Sequence, residues 1–176
     1  AVVGASFGLL HAFFSVYLGA SQHVTGIGIT LFASSIGYYS FRLLLPSSTT
    51  PPKITAFQPL EIPFFSDIPF LGIALFQHTA FTYFAFLMIP AVFWLMNKTP
   101  LGLSIKIAGE NPMALEAQGL DVLFVRTIAL MLGSALMALG GAYLTMSAFD
   151  AFYFGMVNGR GWIAIALVIF ASWQPY

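Results

Sequence analysis

"VLFVRTIALMLGSALMALGGAYLTMS", residues 122–147, carries a single charge, Arg126, near its start. Crossing the hydrocarbon core of a bilayer as a helix takes about 20 consecutive apolar residues, and this run is longer than that. The rest of the chain argues against a buried helix of a water-soluble domain. It is 59% hydrophobic and only 7% charged, where soluble domains carry about 25% charged residues, and its mean hydropathy is +0.90. There is too little polar surface to cover a water-facing exterior, so the chain reads as an all-α, polytopic transmembrane helical bundle. Six basic residues balance six acidic ones. No basic patch points to nucleic acid and no like-charge block points to a tail. The absence of Cys excludes disulfide frameworks and Cys-based metal or redox sites.

Working outward, four more apolar segments give about five spans in all. Residues 1–18, "AVVGASFGLLHAFFSVYL", are just long enough to cross. After the short linker "GASQH", residues 24–45 form a second span, with Arg42 placed to reach the interface and Pro46 to end the helix. Residues 80–97 form a third, with Pro90 expected to kink it. "WIAIALVIFASW", residues 162–173, opens the last one. Residues 46–79 differ. Pro46, Pro51, Pro52, Pro59 and Pro63 rule out a continuous helix, and the segment reads as a loop on the outer side of the membrane. It closes with "FLGIALF", which is too short to span and fits an interfacial or re-entrant piece. Alternation puts a loop at 98–121 on the side opposite 46–79. Positive charge is tied between the two sides (Lys98, Lys106 and Arg126 against Lys53, Arg160 and Arg42). The short loops alone favour 98–121 as cytoplasmic.

Small residues let helices approach closely in lipid. Gly4 and Gly8 make a GxxxG pair, and Ser134, Ala138 and Ala142 make a second small-residue stripe. Such stripes mark packing, not cargo.

The polar run before the longest span is "GENPMALEAQGLD", residues 109–121. Asn111 followed by Pro112 is a helix start, because Asn caps and Pro suits the first helical position. Gly119 suits a left-handed C-terminal residue. Asp121 can cap the transmembrane helix that follows. The expected product is a helix of about two turns held between two spans. It is either a polar linker or a docking element presented to a partner.

"AGENPMALEAQGLDVLFVR" resembles the cytoplasmic loop of ABC importer permeases of the ribose, nucleoside and branched-chain amino-acid type. Gly109, Asn111, Ala114, Gly119 and Arg126 match that family's pattern, with Leu115 where Ala is usual and Leu120 where Ile is usual. "NGRGWIAIALVIFASWQP", residues 158–175, resembles a second run of the simple-sugar and nucleoside branch, with Trp162 for Phe and Ala171 for Gly. "IPFFSDIPFLG", residues 62–72, is similar to a third.

The resemblance implies one transmembrane permease domain over 1–176, expected to be a fragment truncated at both ends, in the bacterial plasma (inner) membrane. It implies a second permease subunit, identical or homologous, ATPase subunits, and an extracytoplasmic substrate-binding protein. The coupling helix maps to 111–119. Gly109, Glu110, Asn111, Pro112, Ala114, Glu116 and Gly119 are the expected coupling residues. The implied activity is ATP-driven import of a simple sugar or nucleoside by alternating access, with no catalytic residue, cofactor or metal in this chain. The sequence has no G-x-x-x-x-G-K-[ST] phosphate loop, so any hydrolysis belongs to a partner.

Three further residues are candidates for a translocation path. His11 lies within the first span, where it either lines a polar path or packs against a neighbouring helix. Asn158 and Arg160 lie between glycines before the last apolar segment. They either face the path or form a turn with an interfacial Arg, which Asp150 could pair. His23 and His78 read as a solvated loop residue and an interface marker. The three histidines are too dispersed for a zinc site. Trp94, Trp162 and Trp173 read as interface anchors. Two rival classes stay open: an ion-coupled secondary transporter, which would place ionisable groups at the midplane, and a non-transporting membrane scaffold subunit.

Overall fold

The computed structural model describes residues 1–45, 60–61, 77–149, 151–153 and 155–171. Helices stand at all five expected apolar segments. Helix α1 (Val2–Ala12) continues as a wider π-helical turn, Phe13–Tyr17. Helix α2 is Gln22–Leu44 and α3 is Ala80–Lys98. Two shorter helices follow, α4 (Pro100–Glu110) and α5 (Pro112–Ala117). Helix α6 (Val122–Tyr143) also ends in a π-helical turn, Leu144–Ala148, and α7 is Arg160–Phe170. The strands β1 (Leu60–Glu61) and β2 (Gln77–His78) pair antiparallel, Leu60 opposite His78. Most of the 46–79 segment, including "FLGIALF" and the 62–72 motif, lies outside the described residues, as does Trp173.

Two of these helices, Ala80–Lys98 and Val122–Ala148, are long and apolar enough to cross a membrane. Val2–Tyr17 and Arg160–Phe170 are apolar but shorter. Helix α2 has the length, but it carries hydroxyls. Three of them bond back to the main chain: Thr25 donates to the Ser21 carbonyl at 2.9 Å, Thr30 to Gly26 at 2.8 Å and Ser34 to Thr30 at 2.7 Å. A hydroxyl bonded to the carbonyl four residues back presents no bare polar atom to lipid. His23, expected in a loop, sits in the first turn of α2. Arg42 lies over the Tyr38 ring at 5.2 Å, near the end of the same helix. Pro90 lies inside α3, which runs through it.

The segment 98–121 is not a loop. Thr99–Pro100 starts a helix by the same cap-plus-proline device as Asn111–Pro112, and α4 occupies residues 100–110. Its inner line is Gly102, Ile105 and Ala108, at helical spacing, while Lys106 faces outward and donates to Asn97 Oδ1 at 2.7 Å.

The described residues form two compact units. In the first (Ala1–Thr50 with Leu95–Ala142), α1 packs on α2 through Phe7 and Phe32, edge to face at 6.2 Å. It packs on α6 through its two glycines. A Cβ at Gly4 would collide with Ala138 Cβ and the Ser134 carbonyl, and one at Gly8 would lie 2.8 Å from Ser134 Oγ and 2.9 Å from the Leu130 carbonyl. The two small-residue stripes of the sequence therefore meet each other. In the second unit (Pro51–Trp94 with Tyr143–Tyr176), Thr79 and Ser147 hydroxyls bond at 2.6 Å, and Thr145 donates to Met156 Sδ at 3.7 Å.

Large apolar side chains are mostly exposed among the described residues. Val2 is 81% exposed, Met137 76% and Phe170 86%. Water-facing monomers rarely carry apolar patches of more than a few hundred Å². These surfaces suit lipid or protein neighbours.

The stripe contact makes opposite predictions for two glycines. Gly8→Ala should destabilise the detergent-solubilised protein by about 1–3 kcal/mol, because backbone as well as side chain must yield. A Cβ at Gly28 meets nothing within 4 Å, so Gly28→Ala should be neutral or stabilising by up to about 1 kcal/mol. Thermal unfolding followed by circular dichroism checks both; equal shifts would mean the stripes do not pack together.

Candidate functional site

The run 95–126 folds as two elbows with a helix between them. At the first, Thr99 Oγ1 donates to the Leu95 carbonyl at 2.6 Å and accepts from the Gly102 amide at 3.2 Å. One hydroxyl thus closes the end of α3 and the start of α4. Helix ends carry backbone groups with no partner in the helix, so this is a strong reason for the chain to turn here. A Cβ at residue 102 would collide with the Leu95 carbonyl and come within 2.6 Å of Met96 Cα, so the tight elbow requires glycine.

At the second elbow Asn111 is the cap of α5. Its Oδ1 accepts from the Ala114 amide at 3.2 Å, with Pro112 at the first helical position. Gly119 has φ +78, as expected of it. Its amide donates to the Glu116 carbonyl at 2.8 Å and the Leu120 amide to the Leu115 carbonyl at 3.3 Å. These are the paired bonds of a Schellman terminus. Asp121 Oδ1 then accepts from the Leu123 amide at 2.8 Å and the Phe124 amide at 3.4 Å, starting α6.

Helix α5 presents two faces. Leu115 is fully buried, in a cluster with Ala108 and Val122 and against Ile107 and Val125. Met113 is 80% exposed, and Glu116 and Ala117 are exposed beside it. The apolar side chains of this helix thus divide: one anchors, the others stay on the surface. The sequence reading missed the role of Leu115, although its placement between a cap and a C-terminal Gly is the visible signal.

Gly109, Glu110, Asn111, Pro112, Ala114, Glu116 and Gly119 all fall on this elbow, Gly109 and Glu110 in the last turn of α4 and the others on or beside α5. A residue outside that set completes it. Arg126 Nη2, on α6, donates to the Ala108 carbonyl at 3.1 Å. Beside this bond lies a half-open hollow of about 120 Å³ lined by Ile105, Ala108, Gly109, Val125, Arg126 and Ala129.

The path candidates fall in different units. His11, in the first, is half-buried near the end of α1, with its Cε1 3.8 Å from where a Cβ of Gly26 would stand. Its carbonyl accepts from Ser15 Oγ at 2.7 Å. Asn158 and Arg160, in the second unit, belong to one turn. Asn158 (φ 40) and Gly159 (φ 78) are both left-handed and feed α7. Arg160 Nη1 donates to the Met156 carbonyl at 2.8 Å, and its guanidinium lies 4.9 Å from the Phe149 ring centre. Asp150 lies outside the described residues. Among the described residues no three His, Asp or Glu side chains converge.

Comparison with known proteins matches residues 1–176 to the family described as branched-chain amino acid transport system / permease component. The chain is 31% identical over 176 residues to a putative glucose ABC transporter permease protein of Haloferax volcanii, covering 98% of this chain and 52% of that protein. It is 32% identical over 174 residues to the guanosine ABC transporter permease protein of Bacillus subtilis (98% and 54%). It is 28% identical over 179 residues to the nucleoside ABC transporter permease protein of Lactococcus lactis subsp. cremoris (99% and 55%). The chain spans about half the length of these curated relatives. No solved structure matches it.

The division of faces on α5 is testable by stability alone. Leu115→Ala should cost about 2–5 kcal/mol, the usual range for emptying a buried Leu site. Met113→Ala should change stability by less than about 0.5 kcal/mol, as at other exposed positions. Denaturant unfolding of the purified protein reads both; a comparable loss in the two variants would overturn the assignment of Leu115 as the anchor.

Proposed function

The chain belongs to the branched-chain amino acid transport system permease component family, and from that premise we propose that it is a membrane-spanning part of an ATP-driven importer for a simple sugar or nucleoside. The likeness to glucose, guanosine and nucleoside permease proteins supports the substrate class. About five spans cross the plasma membrane, the helices at residues 2–17, 22–44, 80–98, 122–148 and from 160 onward being the segments concerned. Residues 98–121 face the cytoplasm and 46–79 the outside. A second permease subunit pairs with this one, and an extracytoplasmic binding protein delivers substrate.

The observation that carries the reading is the geometry of α5. A six-residue helix is capped at both ends, anchored by one buried Leu, and turns Met113, Glu116 and Ala117 outward. Isolated helices shorter than about 12–15 residues are marginal in water, so this one is held in shape by its surroundings. It fits a docking element for the ATPase subunit. Gly109, Glu110, Asn111, Pro112, Ala114, Glu116 and Gly119 build and present it. Nucleotide binding and release on the ATPase would bias two packings of the spans, giving alternating access. His11, Asn158 and Arg160 are the candidates for the substrate path.

A single Ala114→Cys substitution in the full-length protein, with any other Cys replaced and its ATPase subunit co-expressed, should yield a nucleotide-sensitive crosslink. Labelling of that Cys only from outside would invert the topology and remove the docking role. Glu116→Arg should leave insertion intact and reduce substrate uptake about tenfold or more relative to ATP hydrolysed; uptake at the parent rate would sink the coupling assignment.

A further inference from the structure

We infer that Arg126 is a positioning residue that locks the 100–119 double elbow to α6, so that displacement of α5 moves α6 instead of bending the elbow. This rests on the coupling role proposed for α5. The inference starts from Pro112. In a continuing helix the Ala108 carbonyl would accept the amide of residue 112, but Pro has no N–H to give. Ala108 is 2% exposed, so water reaches it poorly, and a buried carbonyl without a partner costs on the order of 1–3 kcal/mol. Arg126 Nη2 supplies the missing donor at 3.1 Å, from eighteen residues further along the chain.

The charge suits the place as well as the donor does. The bonded carbonyl belongs to the last turn of α4, the negative end of that helix's dipole, where a cation is favoured. The rest of the contact is apolar. The Arg126 side chain borders the hollow with Ile105, Ala108, Gly109, Val125 and Ala129, so the charge-assisted hydrogen bond is set beside a small gap and not a filled core. Leu115 fastens α5 to the same neighbours, Ala108 and Val122. Without Arg126, the remaining ties are that one side chain and the capped turns at Asn111 and Gly119. The elbow could then absorb a push on α5 by changing its angle.

The test uses the full-length transporter with its ATPase subunits and binding protein in proteoliposomes, comparing R126M, R126K and the parent. R126M keeps an apolar stem about as long as the aliphatic part of Arg but has neither donor nor charge. It should co-purify with the ATPase at parental yield and hydrolyse ATP within about twofold of the parent, while substrate moved per ATP falls about tenfold. R126K, with a donor and a charge but no planar fork, should recover part of that ratio. An unchanged ratio in R126M, or uptake and hydrolysis falling in proportion, overturns the positioning role. If R126M fails to assemble, R126L, which also lacks a donor and a charge, is measured by the same ratio, and a parental value overturns the inference. A parent complex that assembles but shows no ATP-dependent uptake fails the importer reading instead, a result distinct from any outcome for Arg126.

Discussion

A helical chain that turns at the edge of an apolar layer exposes helix ends whose backbone groups have no partner, and the rest of this molecule depends on how those ends are closed. Between Leu95 and Arg126 the chain closes them with its own side chains. Thr99 serves the end of α3 and the start of α4 with one hydroxyl. Arg126 serves the carbonyl that Pro112 leaves bare at the end of α4. Asn111 and Asp121 start α5 and α6, and the left-handed Gly119 ends α5. In hydrocarbon each open group would cost several kcal/mol. Water at the membrane edge would relieve some of that cost, but it would not fix an angle. Side-chain caps do both, which is why the elbows have defined geometry.

Helices α2 and α1 solve the same problem differently. Helix α2 folds its hydroxyls back onto its own carbonyls. Helix α1 has hardly any polar atoms to satisfy and instead gives up side chains at Gly4 and Gly8 to reach Ser134 and Ala138. Close backbone approach replaces the hydrophobic drive that lipid removes. Two π-helical turns, at Phe13–Tyr17 and Leu144–Ala148, widen the ends of α1 and α6. The second carries Thr145 and Ser147, which bond to Met156 and Thr79 within their own unit. A π-turn shifts the register of the residues beyond it, here at a place where two hydroxyls find partners outside their helix.

Much of this was legible in the sequence where one residue type carries one local job. Asn before Pro, Gly after a short helical run, and Asp before an apolar run each predicted a cap that the structure contains. The stripes of small residues were visible, and so was the membrane class. What was hidden depends on contacts across the chain. That the two stripes face each other is a tertiary fact. Helix α4 reads as loop in the sequence because Ser104 and Lys106 dilute its apolar spacing, although Thr99–Pro100 carries the same signal as Asn111–Pro112. Arg126 was visible as a charge near a membrane edge, but its partner is a main-chain carbonyl, which leaves no mark in composition. The burial of Leu115, against the exposure of Met113 two residues away, follows from how α5 lies on Ala108 and Val122, and no helical period can be read from six residues.

The shortness of α5 gives the arrangement its mechanical meaning. A helix of under two turns cannot pay for its own nucleation; it exists because both of its ends are capped and Leu115 is held. Leu115, the contact that holds it, also ties it to Ala108 on α4 and Val122 on α6. A partner that touches Met113 or Glu116 meets a surface ordered before contact, and loses little entropy in binding it. It also cannot displace that surface without loading Asn111, Leu115 and Asp121 together. The order of α5 and its attachment to the helices beside it thus rest on the same few contacts. A side chain from α6, Arg126, reaches back across the elbow, whereas at Gly119 main-chain hydrogen bonds hold the turn.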